Sequence, residues 1–98
     1  MIQLFDLKPC SDYPDAVQAE GLISCALFSL KDFEQLLLSK GFIVYSIGNP
    51  IVLICRRADC MLIVKSDGSF NISQVLTEKF LLQIIHEIEA QIMLETRD

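Results

Sequence analysis

The sequence predicts a single α+β domain: an antiparallel sheet of about five strands with two helices packed on one face. Three observations predict it. Residues 42–75 read as four β-rich runs broken by three turn signals, Gly48-Asn49-Pro50, Arg56-Arg57-Ala58-Asp59 and Asp67-Gly68, the pattern of an antiparallel meander. Leu30, Phe33, Leu36 and Leu37 recur at the spacing of one helix face. Leu81, Ile84, Ile85, Ile88 and Ile92 do the same over a longer stretch near the C-terminus. Strands grouped together, rather than alternating one by one with helices, place the fold in the α+β class.

The first 20 residues carry the weakest pattern. Ile2 and Leu4 alternate with Gln3, which suits an edge strand over residues 1–7. Pro9 and Pro14 punctuate the next stretch, and Asp12 or Asp15 is placed to cap a short helical turn through Val17 and Ala19. Residues 21–30, GLISCALFSL, have the aromatic and apolar content of a first full strand. Ser29-Leu30-Lys31-Asp32 resembles a capping box and opens a helix over about 30–40. Gly41 is placed as its left-handed stop. The meander comes next, and then a helix over about 76–95. Thr77 or Ser73 is its expected N-cap, and Glu78 suits the positive helix start. Phe80, Leu82 and Met93 widen its apolar stripe. No repeat, low-complexity tract or linker divides the chain, so residues 1–98 are read as one domain.

The bulk numbers narrow the function classes. Hydrophobic residues make up 52% of 98, high for a chain so short, where much of the surface must face water. That excess suggests a partner surface. Eight basic against 13 acidic residues give a net charge of −5, which argues against a general polyanion binder while allowing a local basic patch. No apolar run approaches the length of a membrane span, and MIQLFDLKPC lacks the basic start and apolar run of a signal peptide. The chain is therefore read as cytoplasmic. In a reducing compartment, Cys10, Cys25, Cys55 and Cys60 are expected to be free thiols, mostly buried as small hydrophobes.

Turn lengths predict strand register, and register decides which side chains share a face. A two-residue turn at Asp67-Gly68 sets Lys65 opposite Phe70, Ile63 opposite Ile72 and Met61 opposite Gln74. A four-residue loop from Arg56 to Asp59 sets Cys55 opposite Cys60 and Leu53 opposite Leu62. A turn at Gly48-Asn49 sets Tyr45 opposite Val52 and Ile43 opposite Ile54. One face then carries Ile43, Tyr45, Ile47, Val52, Ile54, Met61, Ile63, Phe70 and Ile72. Being almost wholly apolar, it is assigned to the helices. The other carries Phe42, Val44, Ser46, Ile51, Leu53, Cys55, Cys60, Leu62, Val64, Asn71 and Ser73. A wet face of an antiparallel sheet should be polar, yet this one is apolar at its centre. Phe42, Val44, Leu53, Cys55, Cys60, Leu62, Val64 and Asn71 are accordingly the candidate interaction face. The plainer alternative is that the first 20 residues fold over it.

The layout also resembles one half-repeat of the TATA-binding-protein fold over about residues 21–93. LISCALFSL takes the place of that family's first strand and KDFEQLLLSKG that of its first helix. MLIVKSDGSFNI resembles its strand-turn-strand, and EKFLLQIIHEIEAQI stands where its closing helix would be. The resemblance implies a helix-free face that lies on the DNA minor groove, mainly apolar with a few small polar groups. Phe42 stands alone where the family's intercalating phenylalanines come in pairs. A single half-repeat implies that a saddle would need a homodimer.

Catalytic constellations are weak. Cys55 and Cys60, cross-strand in the predicted register, invite a thiol or metal site, but their spacing is not that of a structural zinc site, and the one histidine, His86, lies on the last helix. Buried thiols are the plainer reading. Arg56, Arg57 and Lys65 form a basic cluster suited to contact an anion; a solvated hairpin tip is the competing reading. Glu87, Glu89 and Glu95 spread around a helix and read as its wet face. The four glycines all fall at boundaries or turns, leaving no phosphate loop. No cofactor and no metal ligand set is expected. The function expected is non-catalytic: association with itself or another protein through the helix-free face, or through the long helix. Nucleic-acid binding through the same face is the alternative, and chemistry at Cys55 and Cys60 a third.

Overall fold

The structure is a computed structural model that describes residues 2–9, 15–24, 29–48 and 51–95. Cys10, Asp12, Pro14, Cys25, Asn49 and Pro50 lie outside the described residues. The chain runs β1 (Ile2–Pro9), β2 (Val17–Ile23), α1 (Leu30–Ser39), β3 (Ile43–Ile47), β4 (Val52–Arg57), β5 (Cys60–Lys65), β6 (Ser69–Val75) and α2 (Glu78–Glu95). The six strands form one sheet in the order β1-β2-β6-β5-β4-β3, and every neighbouring pair is antiparallel. The α+β architecture with two helices on one side is as expected, with one strand more.

The extra strand comes from the N-terminal fifth of the chain. Val17 and Ala19 belong to β2, not to a helical turn, and β2 ends at Ile23 rather than running to residue 30. Its inward positions include Ala19 and Gly21, too small to register as an apolar alternation. Gly21 is required there: a Cβ at this position would lie 2.3 Å from Cζ of Phe70 on the neighbouring strand. β1 forms one edge of the sheet and is bulged between Phe5 and Lys8, with Asp6 at φ 51°. The described residues of this segment, 2–9 and 15–24, therefore extend the sheet sideways.

The helices form where caps and periodicity agree. The Ser29 hydroxyl faces the Asp32 N–H at 3.5 Å, and Gly41 follows the last turn of α1 at φ +86°, a conformation that costs glycine little. Thr77 Oγ1 accepts from the Phe80 N–H at 3.1 Å and its carbonyl accepts from Leu81, which makes Thr77 the N-cap of α2. Both apolar stripes are buried against the sheet. Each large aliphatic side chain so buried contributes about 1.5–3 kcal/mol.

The helices cover the face opposite to the one expected. Leu53, Cys55, Leu62, Val64 and Ile72 are all 2% exposed or less and form the floor of the core, with Phe42 and Cys60 beside them. The cause is a register shift of one residue at the β5–β6 turn. Val64 pairs with Phe70 and Leu62 with Ile72, not Lys65 with Phe70. Ser66, Asp67 and Gly68 make a three-residue connection, in which the Gly68 N–H donates to the Lys65 carbonyl at 3.0 Å and Gly68 sits at φ +91°. This is the turn-plus-left-handed-residue hairpin rather than the two-residue form. Asp67 Oδ1 fastens it by accepting from the Ser69 N–H (2.9 Å) and hydroxyl (2.6 Å). A slip of one residue exchanges faces. It moves Phe70 and Ile72 to the side of Leu62 and Val64, and Asn71 and Ser73 to the side of Ile63 and Met61.

The other two turns shift register by two, which leaves faces unchanged. Arg57 pairs with Cys60, so only Ala58 and Asp59 connect β4 to β5, and Cys55 lies opposite Leu62 rather than Cys60. Ile47 pairs with Val52 and Tyr45 with Ile54.

Candidate interaction face

The sheet face away from the helices is built from strand alternation alone. One row crosses all six strands through successive Cα partners: Tyr45, Ile54, Ile63, Asn71, Glu20 and Phe5. A flanking row runs Ile43, Arg56, Met61, Ser73, and the other runs Ile47, Val52, Lys65 and onward to Ser69 and Leu22. The face thus has two halves. Over β3, β4 and β5 it is apolar, with Arg56 and Lys65 as its only charges. Over β6, β2 and β1 it is mostly polar, with Phe5 and Leu22 interspersed.

Exposure rises toward β3. Val52, Ile54, Met61 and Ile63 are partly exposed, while Ile43, Tyr45 and Ile47 are 61, 65 and 53% exposed. Ile51, in the turn after β3, is likewise exposed. Beside this patch, the short Ser69 and Asn71 leave an open depression of about 350 Å³. Ile63 and Lys65 form one wall, and Leu22, Glu20 and Phe5 the other.

These positions correct the predicted site. Phe42, Leu53, Cys55, Cys60, Leu62 and Val64 are core residues beneath the helices, and Val44 is partly buried against them. The six core residues are not available to a partner. Asn71 alone of the predicted set lies on the open face. Its neighbours there are Ile43, Tyr45, Ile47, Val52, Ile54, Met61 and Ile63, the side chains expected beneath the helices. Two apolar faces on β3, β4 and β5 cannot be told apart by composition. The signal that separates them is β6, where Phe70 and Ile72 alternate with Ser69, Asn71 and Ser73, provided its register is right.

The basic cluster divides. Arg57 points to the helix side and is fully engaged. Its Nε and Nη2 donate to the two Asp59 oxygens at 2.7 and 3.0 Å. Nη1 donates to the Lys40 carbonyl at the end of α1 (2.9 Å) and to Glu87 of α2 (3.4 Å). The guanidinium also lies 4.5 Å from the centre of the Phe42 ring. This one side chain ties α1, α2 and the β4–β5 turn together, so it is not a free anion contact. Its hydrogen bond to Asp59 holds that carboxyl below its ordinary pKa. Arg56, on the opposite side of β4, is exposed, as is Lys65.

The thiols are placed against chemistry. Cys55 and Cys60 are free, and burial pushes both pKa values up to about 12. A thiol held protonated and out of water is a poor nucleophile and a poor metal ligand. His86 is exposed on α2. Among the described residues, no group of three or more His, Cys, Asp or Glu side chains is placed to hold a metal ion. No helix among them is long and apolar enough to cross a membrane.

Comparison with protein-family models, curated proteins and solved structures gave no match.

Proposed function

We propose that this chain is a non-catalytic association module that binds a protein surface through the β3–β5 half of its helix-free sheet face. The observation that carries the reading is the row Tyr45, Ile54, Ile63 with its apolar neighbours Ile43, Ile47, Val52 and Met61, left open while both helices lie on the other side. An antiparallel sheet face kept in water is ordinarily polar. A contiguous apolar patch rimmed by charge is the usual mark of a protein-binding surface.

The double substitution Ile54→Asp with Ile63→Asp tests it. Both side chains point away from the core, so the fold should survive, as read by circular dichroism and thermal melting. Retention of a partner protein in pull-downs should be lost. A wild-type chain that stays monomeric and retains nothing would contradict the proposal.

A second reading is nucleic-acid binding through the same face, in line with the resemblance to a TATA-binding-protein half-repeat. The observation in its favour is that Arg56 and Lys65 are exposed on the same face as Tyr45, one and two strands away, cations sharing a face with an aromatic stacking surface. The net charge of −5 opposes it. Titration with duplex and single-stranded DNA distinguishes the two readings, because phosphate-driven binding must weaken steeply as salt rises.

A further inference from the structure

The two edges of the sheet are built differently. β1 carries the devices that keep an edge strand from pairing: a bulge at Asp6, a charged Lys8 and a terminal Pro9. β3 carries none of them. Its sequence, IVYSI, contains no charge, proline or glycine, and it pairs without a break to β4 from Ile43 to Ile47. Among the described residues no strand lies on its outer side. Twelve large hydrophobic residues are exposed on the described chain, and four of them, Ile43, Tyr45, Ile47 and Ile51, fall on β3 and the turn after it. The unguarded edge thus carries one of two clusters of exposed large hydrophobic side chains, the other being Leu76, Phe80, Leu82, Met93 and Leu94 on and just before α2.

We infer that β3 pairs antiparallel with β3 of a second copy of this chain, around a two-fold axis through Tyr45. This inference rests on the reading of the β3–β5 half as the associating part of the molecule, and it places a second copy at the edge strand rather than on the face. The strand is self-complementary in that register. Tyr45 meets Tyr45 of the second copy, Ile43 meets Ile47 on the open face, and Val44 meets Ser46 on the other. Charge allows it as well. Cross-strand opposition of like charges is destabilising, and every side chain brought opposite another here is uncharged. Arg56 and Lys65 stay one and two strands back from the axis. Stacking two copies face to face would instead press these cations toward the same small area. Edge pairing supplies strand partners to the outer backbone groups of β3 and joins the two apolar half-faces into one continuous surface across the axis.

Tyr45 on the axis makes the test specific. Tyr45→Lys places two ammonium groups opposite one another and should weaken self-association by about tenfold or more in sedimentation equilibrium, with an unchanged circular dichroism spectrum. Tyr45→Cys should give a disulfide-linked dimer on mild oxidation, since partners in antiparallel strands lie within disulfide reach. Ile43→Cys alone should not, whereas Ile43→Cys mixed with Ile47→Cys should. The parent protein run alongside reads any bridging by its own cysteines. A dimer that survives Tyr45→Lys but dissociates with Ile54→Asp and Ile63→Asp would overturn edge pairing while leaving the association face standing. A wild-type chain that remains monomeric at every concentration, and whose Tyr45→Cys variant never cross-links, would overturn the inference outright.

Discussion

Arg57 has the most demanding job of any single side chain in this molecule. One guanidinium serves a carboxylate in its own turn, the Lys40 carbonyl that caps α1, a glutamate of α2 and the face of Phe42. Removing it leaves Asp59 and the Lys40 carbonyl without their donor. Arg57→Ala should therefore cost about 1.5–3 kcal/mol in chemical denaturation, the range for hydrogen bonds to charged groups. Arg57→Lys should recover little, because an ammonium cannot reproduce the planar fork. The pH dependence has a definite sign. Asp59 has a lowered pKa in the folded state, so its contribution is present above the ordinary carboxylate value and is lost as pH falls through the lowered one. The stability gap between wild type and Asp59→Asn should close in acid. Cys55 and Cys60 act at the other end of the scale. Their pKa values rise on folding from 9.0 to about 12, so stability is intact below pH 9.0 and declines as pH rises toward about 12. A Cys55→Ala and Cys60→Ala double variant should show a flatter alkaline limb in pH-resolved denaturation. In the native wild type, both thiols should react with alkylating reagents far more slowly than after unfolding.

At the scale of elements, the β5–β6 hairpin decides what the molecule presents to its surroundings. Helix positions and caps are legible in the sequence because they are local: Ser29, Gly41 and Thr77 each act within one turn of their helix. Strand existence is legible over the meander for the same reason. Register is not, because Asp67-Gly68 fits both a two-residue turn and a longer one, and the choice depends on backbone geometry at Gly68. The two alternatives differ by one residue, and with both faces of β4 and β5 apolar, nothing else in the pattern corrects the error. Of the eight residues expected to form the interaction face, all but Asn71 lie on the other side for this reason. β2 escapes the sequence pattern for a different reason: its inward Ala19 and Gly21 are small because Phe70 needs the space. Gly68→Ala should be the most costly single-methyl addition in the hairpin. Its φ of +91° disfavours any side chain, and the new Cβ would lie 2.6 Å from the Ile23 carbonyl oxygen. The expected loss is about 1 kcal/mol or more, read from the shift in denaturation midpoint.

At the scale of the whole molecule, two helices are enough to seal one side of a six-stranded sheet, and β3, β4 and β5 are apolar on both. Part of the hydrophobic excess of the composition therefore lies on the open face, and part on the outer side of α2, where Phe80, Leu82, Met93 and Leu94 are exposed. That much is dictated by the sequence wherever the helices go; which seven side chains make up the patch is decided only by the register. The acidic balance of the chain is not spread evenly either, since the β3–β5 half of the open face carries Arg56 and Lys65 and no carboxylate. The most direct measurement of the central claim is side-chain footprinting of the wild-type protein as its concentration is raised or its partner is added. The account predicts that labelling of Ile43 and Tyr45 falls as concentration is raised and that of Ile54, Met61 and Ile63 when the partner is added, while Phe80 and Leu94 on the outer side of α2 stay labelled. Protection of the α2 residues with an unchanged sheet face would contradict it.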